Sequence, residues 1–174
     1  MFDHEVAGYL RNGHLLLITQ KSCIGILGNI KSPEYPLFLE KYKSSIQKSV
    51  LLLPEIGQLS NYLQQVPELA WDIVEFAEKS LEVIYQQGRN LPARFLHEDG
   101  SINIRVYNEG VFHKFLFNQK HHLVLTIVDE TFYKSEFLEQ NEKVLNLPDN
   151  FEWKIVPDKV MSLGLNGEIK FYQQ

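Results

Sequence analysis

Cysteine is almost missing from this chain. Cys23 is the only one in 174 residues, so no disulfide can form within it, and such usage fits a reducing compartment. Long apolar runs are missing too. The longest, at 15–18, 50–53 and 123–125, fall far short of the roughly 20 residues that cross a bilayer as a helix. The first residues, Met1-Phe2-Asp3-His4-Glu5, hold neither the basic nor the apolar segment of a secretory leader. The expectation is a cytoplasmic protein without membrane contact. A basic surplus is also lacking. The formal net charge is −5, which argues against a non-specific nucleic-acid binder. No internal repeat or low-complexity tract interrupts the chain. What remains is 44% hydrophobic and 12% aromatic, enough for one packed core and one domain over 1–174.

The apolar spacing alternates between helix and strand periods. Residues 2–10 place Val6, Tyr9 and Leu10 on one helical face, and Asn12-Gly13 ends it. Strands are expected at 14–19, 22–27, 49–53, 81–85, 101–106, 122–128 and 151–156. In the strand at 49–53 the run Val50 to Leu53 is apolar throughout, as in a buried central strand. Helices are expected at 35–43, 56–64, 111–117 and 132–145. Val66, Leu69, Ala70, Ile73 and Phe76 form a further helical stripe, with Pro67 suited to its first turn. Residues 86–100 read as a polar loop. A final pair of strands flanks Asn166-Gly167, a strong hairpin signal. The class is α/β or α+β, with a mixed, partly antiparallel sheet flanked by helices.

Several stretches resemble the YrdC/YciO family, which includes the threonylcarbamoyl-AMP synthases. They are Leu51-Leu52-Leu53-Pro54, then Gln58-Leu59-Ser60-Asn61-Tyr62-Leu63, then Val66-Pro67-Glu68-Leu69-Ala70-Trp71-Asp72. The likeness continues at Lys79-Ser80-Leu81 and Asn90-Leu91. It is clearest at Glu98-Asp99-Gly100-Ser101-Ile102-Asn103-Ile104-Arg105-Val106. Leu10-Arg11-Asn12-Gly13 and Asn166-Gly167-Glu168-Ile169-Lys170 extend it to both ends. It covers nearly the whole chain but rests on scaffold positions, which speak for fold more than for activity.

The resemblance implies a twisted sheet carrying a concave cleft. It also implies an enzyme that joins ATP, L-threonine and bicarbonate for tRNA modification, with double-stranded RNA binding in some relatives. Such a site needs cations, hydroxyls and backbone donors in one place. The chain departs from that pattern in five regions. The family's Pro-Thr-acid-Thr signature reads Thr19-Gln20-Lys21-Ser22, with only the Ser22 hydroxyl and Gly25 surviving. The Lys-x-Arg pair falls on Tyr42 and Ser44 without a gap, or on Lys41 and Lys43 with one inserted residue. A family threonine becomes Glu82, whose carboxylate would repel phosphate. The Ser-x-Asn motif reads Ile127-Val128-Asp129. At the C-terminus Pro-Ser-Ser reads Pro157-Asp158-Lys159, and the last arginine is Gln173. Arg105 is the one charged cleft residue that carries over. The resemblance thus implies ligand-binding positions at Lys21, Ser22, Lys41, Lys43, Arg105 and Asp129, with no catalytic set. ATP and magnesium belong to the reading only if the family activity is retained.

Other residues invite chemistry and have plainer explanations. Cys23 with His14 can be drawn as nucleophile and base, but a cysteine in an apolar strand is usually packing. His121-His122 point to opposite faces of a strand and seldom share a metal. Gly25 and Gly28 lack a phosphate loop's Lys-Ser/Thr partner and read as turn glycines. Lys21, Lys41, Lys43, Lys48, Arg105 and Lys159 can line one anion-binding cleft or stand scattered in solvent. Tyr62, Trp71, Phe76, Phe112, Phe115, Phe117 and Phe151 read as core rather than as base-stacking platforms.

Three functions follow. A non-catalytic binder of a nucleotide or RNA predicts an open concave surface lined by Arg105 and lysines. A divergent enzyme predicts that Lys21, Ser22, Glu82, Arg105 and Asp129 converge in a pocket. A protein-interaction role, partnering an active paralogue, predicts a filled cleft and an exposed apolar patch.

Overall fold

The computed structural model describes residues 1–77 and 80–172. One nine-stranded sheet organises them, in the order β7-β1-β2-β6-β3-β5-β4-β8-β9. The strands are β1 (Leu16–Gln20), β2 (Cys23–Asn29), β3 (Ile46–Leu53), β4 (Leu81–Tyr85), β5 (Ile102–Val106), β6 (Leu123–Val128), β7 (Val144–Asn146), β8 (Lys159–Leu163) and β9 (Ile169–Tyr172). Parallel pairing joins β1 to β7, β3 to β5 and β4 to β8. The other five neighbours run antiparallel. The expected mixed sheet is present, with helices on both faces.

Side-chain alternation splits the core in two. On face A, Leu17, Ile26, Leu51, Val83, Ile104 and Val124 lie under α2 (Glu34–Lys41), α3 (Leu59–Tyr62), α4 (Leu69–Glu75) and α6 (Lys134–Leu138). On face B, Leu16, Ile18, Leu27, Leu52 and Leu125 lie under α1 (His4–Arg11) and α5 (Gly110–Phe117). Helix α1 starts at His4, two residues later than the sequence suggests, because Asp3 caps it. The Asp3 carboxylate accepts the Val6 N–H at 3.0 Å, satisfying one free donor of the first turn. It buries Val6, Ala7 and Leu10.

Four readings need correction. The helix expected over 132–145 is only α6. The Asn141 side-chain amide donates to the Phe137 carbonyl at 3.1 Å and closes it, and residues 144–146 form β7 along β1. Residues 151–156 are not a strand. Trp153 and Ile155 bury themselves there, but side chains rather than a neighbouring strand take up the backbone groups. Gly25 and Gly28 are not turn glycines, since both lie inside β2. A Cβ on Gly28 would stand 2.5 Å from Leu15 Cδ2 and 2.8 Å from the Tyr35 ring, so the glycine permits close packing. Among the aromatics, Tyr62, Phe112 and Phe115 are core, Phe151 is half-buried, and Trp71, Phe76 and Phe117 are exposed. No helix among the described residues is long and apolar enough to cross a membrane.

Candidate functional site

Alternation along three adjacent strands sends Lys48 of β3, Glu82 of β4, and Asn103 and Arg105 of β5 to face B. Glu82 and Arg105 stand opposite each other in the β4–β5 register. The Glu82 carboxylate accepts from Arg105 Nε at 2.8 Å, from Lys48 Nζ at 2.5 Å and from Asn103 Nδ2 at 2.7 Å. Asn103 Oδ1 in turn lies 2.5 Å from His97 Nε2. Burial alone would raise the Glu82 pKa. The charges of Arg105 and Lys48, with the Lys48 and Asn103 hydrogen bonds, outweigh that and hold it below the ordinary glutamate value. The feared anion in the cleft is therefore the counter-ion of two cations.

Arg105 has little left to offer a ligand. Nη1 donates to the Lys154 carbonyl at 2.8 Å, and Nη2 donates to the Ile155 carbonyl at 2.6 Å. The residue is 1% exposed. Gln20 holds the same segment from β1. Its amide nitrogen donates to the carbonyls of Pro148 at 3.1 Å and Trp153 at 3.2 Å, and its oxygen accepts the Ile155 N–H at 2.9 Å. Residues 147–156 thus form a strap across face B. Leu147, Trp153 and Ile155 sit in the face B core, with Trp153 stacked on Phe112 at 4.8 Å between ring centroids. The chain itself fills the place where the resemblance puts the cleft's retained cation.

The remaining expected positions do not join Arg105. Lys21 and Ser22 form the exposed β1–β2 turn, with Lys21 at φ 55°. Lys43 is exposed in the turn before β3. Asp129 follows β6, where its carboxylate accepts the Thr131 N–H at 2.9 Å and hydroxyl at 2.5 Å. Because Ile24 and Ile46 both pair with Val128, these four share one end of the sheet. Lys41 instead pairs with Glu136 of α6 at 2.8 Å, with its ammonium 5.3 Å from the Tyr42 ring centre. Tyr42, the other candidate for the family's lysine position, packs on Phe38 and Phe132. Lys159 opens β8 opposite Leu81. Gln173 and Lys79 lie outside the described residues.

The other candidates stand apart from Arg105. Cys23 is half-buried beside the turn at Gln20, whereas His14 precedes the other end of the β1–β2 hairpin, bonded to Glu34 at 3.0 Å. His122 Nδ1 contacts the Tyr62 hydroxyl, and burial, then the neighbouring His121, lowers its pKa. No group of three metal-ligating side chains occurs among the described residues. Sequence reasoning passed over Gln20 and Asn103. Asn103-x-Arg105 was readable as a polar pair on one strand face. Gln20 offered no comparable signal, since its partners are backbone carbonyls more than 125 residues away.

The architecture defines the class: this is the YrdC/YciO-type fold. It superposes on E. coli YciO over 92% of this chain and 82% of that one, with a TM-score of 0.64 and 14% identity. It superposes on P. abyssi Sua5 complexed with L-threonine over 91% of this chain and 50% of that one, with a TM-score of 0.62 and 14% identity. Full-length HypF in its phosphate- and nucleotide-bound form contains the same fold, matching 95% of this chain and 28% of its own at a TM-score of 0.65 and 14% identity. The chain therefore spans about half of Sua5 and just over a quarter of HypF. No protein-family model and no curated protein sequence matches it.

Proposed function

We propose that this chain does not synthesise threonylcarbamoyl-AMP and acts through its surface, as an interaction protein built on the fold. The observation that carries this reading is the state of Arg105: buried, paired with Glu82, and bonded to two carbonyls of the strap. A cation so engaged cannot meet a triphosphate without breaking all three contacts. Of the set a divergent enzyme would bring together, only Glu82 and Arg105 meet. The open cleft of a ligand binder is filled at that point.

An exposed apolar strip supports the interaction role. Ile169 and Phe171 of β9 pair with Leu163 and Met161, so they share face A with α4. Leu69 Cδ1 lies 3.2 Å from where a Cβ on Gly167 would stand, which ties α4 to the β8–β9 turn. Leu69, Ile169 and Phe171, which make up this strip, are all at least 40% exposed. Among the described residues β9 ends the sheet and no strand pairs with its outer edge, which suits it to pairing with a partner's strand.

The partner this reading names is an active protein of the same fold in the same cell. Isothermal titration of the two purified proteins tests it. Saturable association is expected, lost in Phe171→Asp with Leu69→Ala while circular dichroism is unchanged. An absence of heat, or association indifferent to both substitutions, contradicts it.

A second reading rests on Lys21 and Lys43, which carry no ion pair among the described residues and share one end of the sheet with Ser22. They would bind phosphates of a nucleotide or of RNA. Titration with Mg-ATP, with and without L-threonine and bicarbonate, and with a short RNA duplex tests this. Lys21→Ala with Lys43→Ala should abolish any binding, and binding that survives both overturns the assignment.

A further inference from the structure

Below α4 and around the C-terminal end of β5, the fold leaves a cavity of about 660 Å³ that is walled by face A and reaches Arg105, Tyr107 and Glu152 on face B. That volume lies within the range of small-molecule sites. Its apolar walls are Ile56, Trp71, Val74, Val83 and Ile104. Two features distinguish it from a packing defect. Tyr85 is 1% exposed and lines the cavity, and its hydroxyl has no hydrogen-bond partner among the described residues. A buried phenol without a partner is costly to keep, and a ligand can supply the missing bond. The polar rim is acidic. Glu75 and Glu109 border the cavity, both exposed and neither in an ion pair among the described residues. Among the described residues, the other charged groups along the wall are already occupied. Arg105 is held by Glu82, and Glu152 accepts the Phe112 N–H at 2.9 Å.

We propose that this cavity binds a small organic cation with an apolar or aromatic body. The body packs on Trp71, Val83 and Ile104. A polar group within it pairs with Tyr85 Oη, and the ammonium end faces Glu75 and Glu109. The apolar walls set the affinity, and the two carboxylates select charge. The site is independent of the strip on β9 and of the lysines near the β1–β2 turn.

The test uses tyramine as probe, which has an aromatic ring, a hydroxyl and an ammonium group. Its comparison is 3-(4-hydroxyphenyl)propionate, of similar shape and opposite charge. Chemical-shift titration of the indole N–H signals reads binding, with Trp71→Phe assigning the responding signal to Trp71. Tyramine should shift the Trp71 signal saturably and bind about tenfold or more tightly than the propionate. Glu109→Gln should weaken tyramine by about fivefold, the scale of one partly exposed ion pair. Tyr85→Phe removes one oxygen, keeps the ring and should also weaken it. Equal binding of the two probes, no saturation by tyramine, or affinity unchanged in both Glu109→Gln and Tyr85→Phe would overturn the proposal. If Tyr85→Phe were to misfold, the charge comparison and Glu109→Gln would still decide it.

Discussion

Glu82 and Arg105 face each other across β4 and β5 at 2.8 Å, and neither side chain is more than 2% exposed. The pair binds three parts of the protein together, because Glu82 also holds Lys48 and Asn103 while Arg105 holds the strap. In this fold the resemblance assigns the arginine to a ligand. Here Arg105 donates to Glu82 and to two carbonyls of the strap instead.

Removing one partner of a buried pair strands the other charge. Glu82→Leu should therefore cost about 3–5 kcal/mol in urea unfolding, and Arg105→Met a similar amount. The double variant should cost clearly less than the two added together, because neither charge is left alone. Additive costs would mean that the two side chains do not act as a unit.

Gln20→Ala leaves the buried Trp153 carbonyl, the part-buried Pro148 carbonyl and the Ile155 N–H without their side-chain partner. A loss of about 2–3 kcal/mol is expected. Hydrogen exchange should accelerate over 148–156 first and spare β3 and β6. Uniform acceleration across the sheet would contradict the idea of a separately held strap.

Gly28→Ala should cost about 1–3 kcal/mol, since the added methyl meets Leu15 and the Tyr35 ring at under 3 Å. Gly57→Ala is the control, because nothing lies within 4 Å of its added carbon. A Gly28 variant as stable as the control would refute the close packing inside β2.

Stability should fall in two steps as the pH drops. His122 has a lowered pKa in the folded state, through burial and then His121. The unfolded chain therefore binds this proton first, and stability declines below the ordinary histidine value of 6.5. Glu82 also has a lowered folded pKa. Its contribution is intact above the ordinary value of 4.5 and is lost as pH falls through the folded one. His122→Asn should abolish the first step in pH-dependent urea midpoints and keep the second. A first step that persists in this variant would assign it to another group.

Much of this fold could be read from residue spacing, because strands and helices buried on one face or both carry their period in the sequence. Residues 81–85 are β4 to the residue, and 111–117 lie within α5. Residues 151–156 of the strap read as a strand because Phe151, Trp153 and Ile155 alternate as a strand does. Alternation records burial, and here side chains replace the ladder. The candidate site was legible only as far as Arg105 and Glu82. That they meet depends on the β4–β5 register, and that they are covered depends on Gln20 reaching the strap from β1. Lys41 reads as a cleft cation until α6 brings Glu136 to it.

The most direct test of the account is pyrophosphate release from Mg-ATP in the presence of L-threonine and bicarbonate, with an active threonylcarbamoyl-AMP synthase assayed in parallel. With Arg105 sealed under the strap, the chain should release no more pyrophosphate than a protein-free blank while the active enzyme turns over. Threonine-dependent release by this chain that disappears in a Lys48→Ala variant would contradict the account, and would mean that the strap opens to a working site.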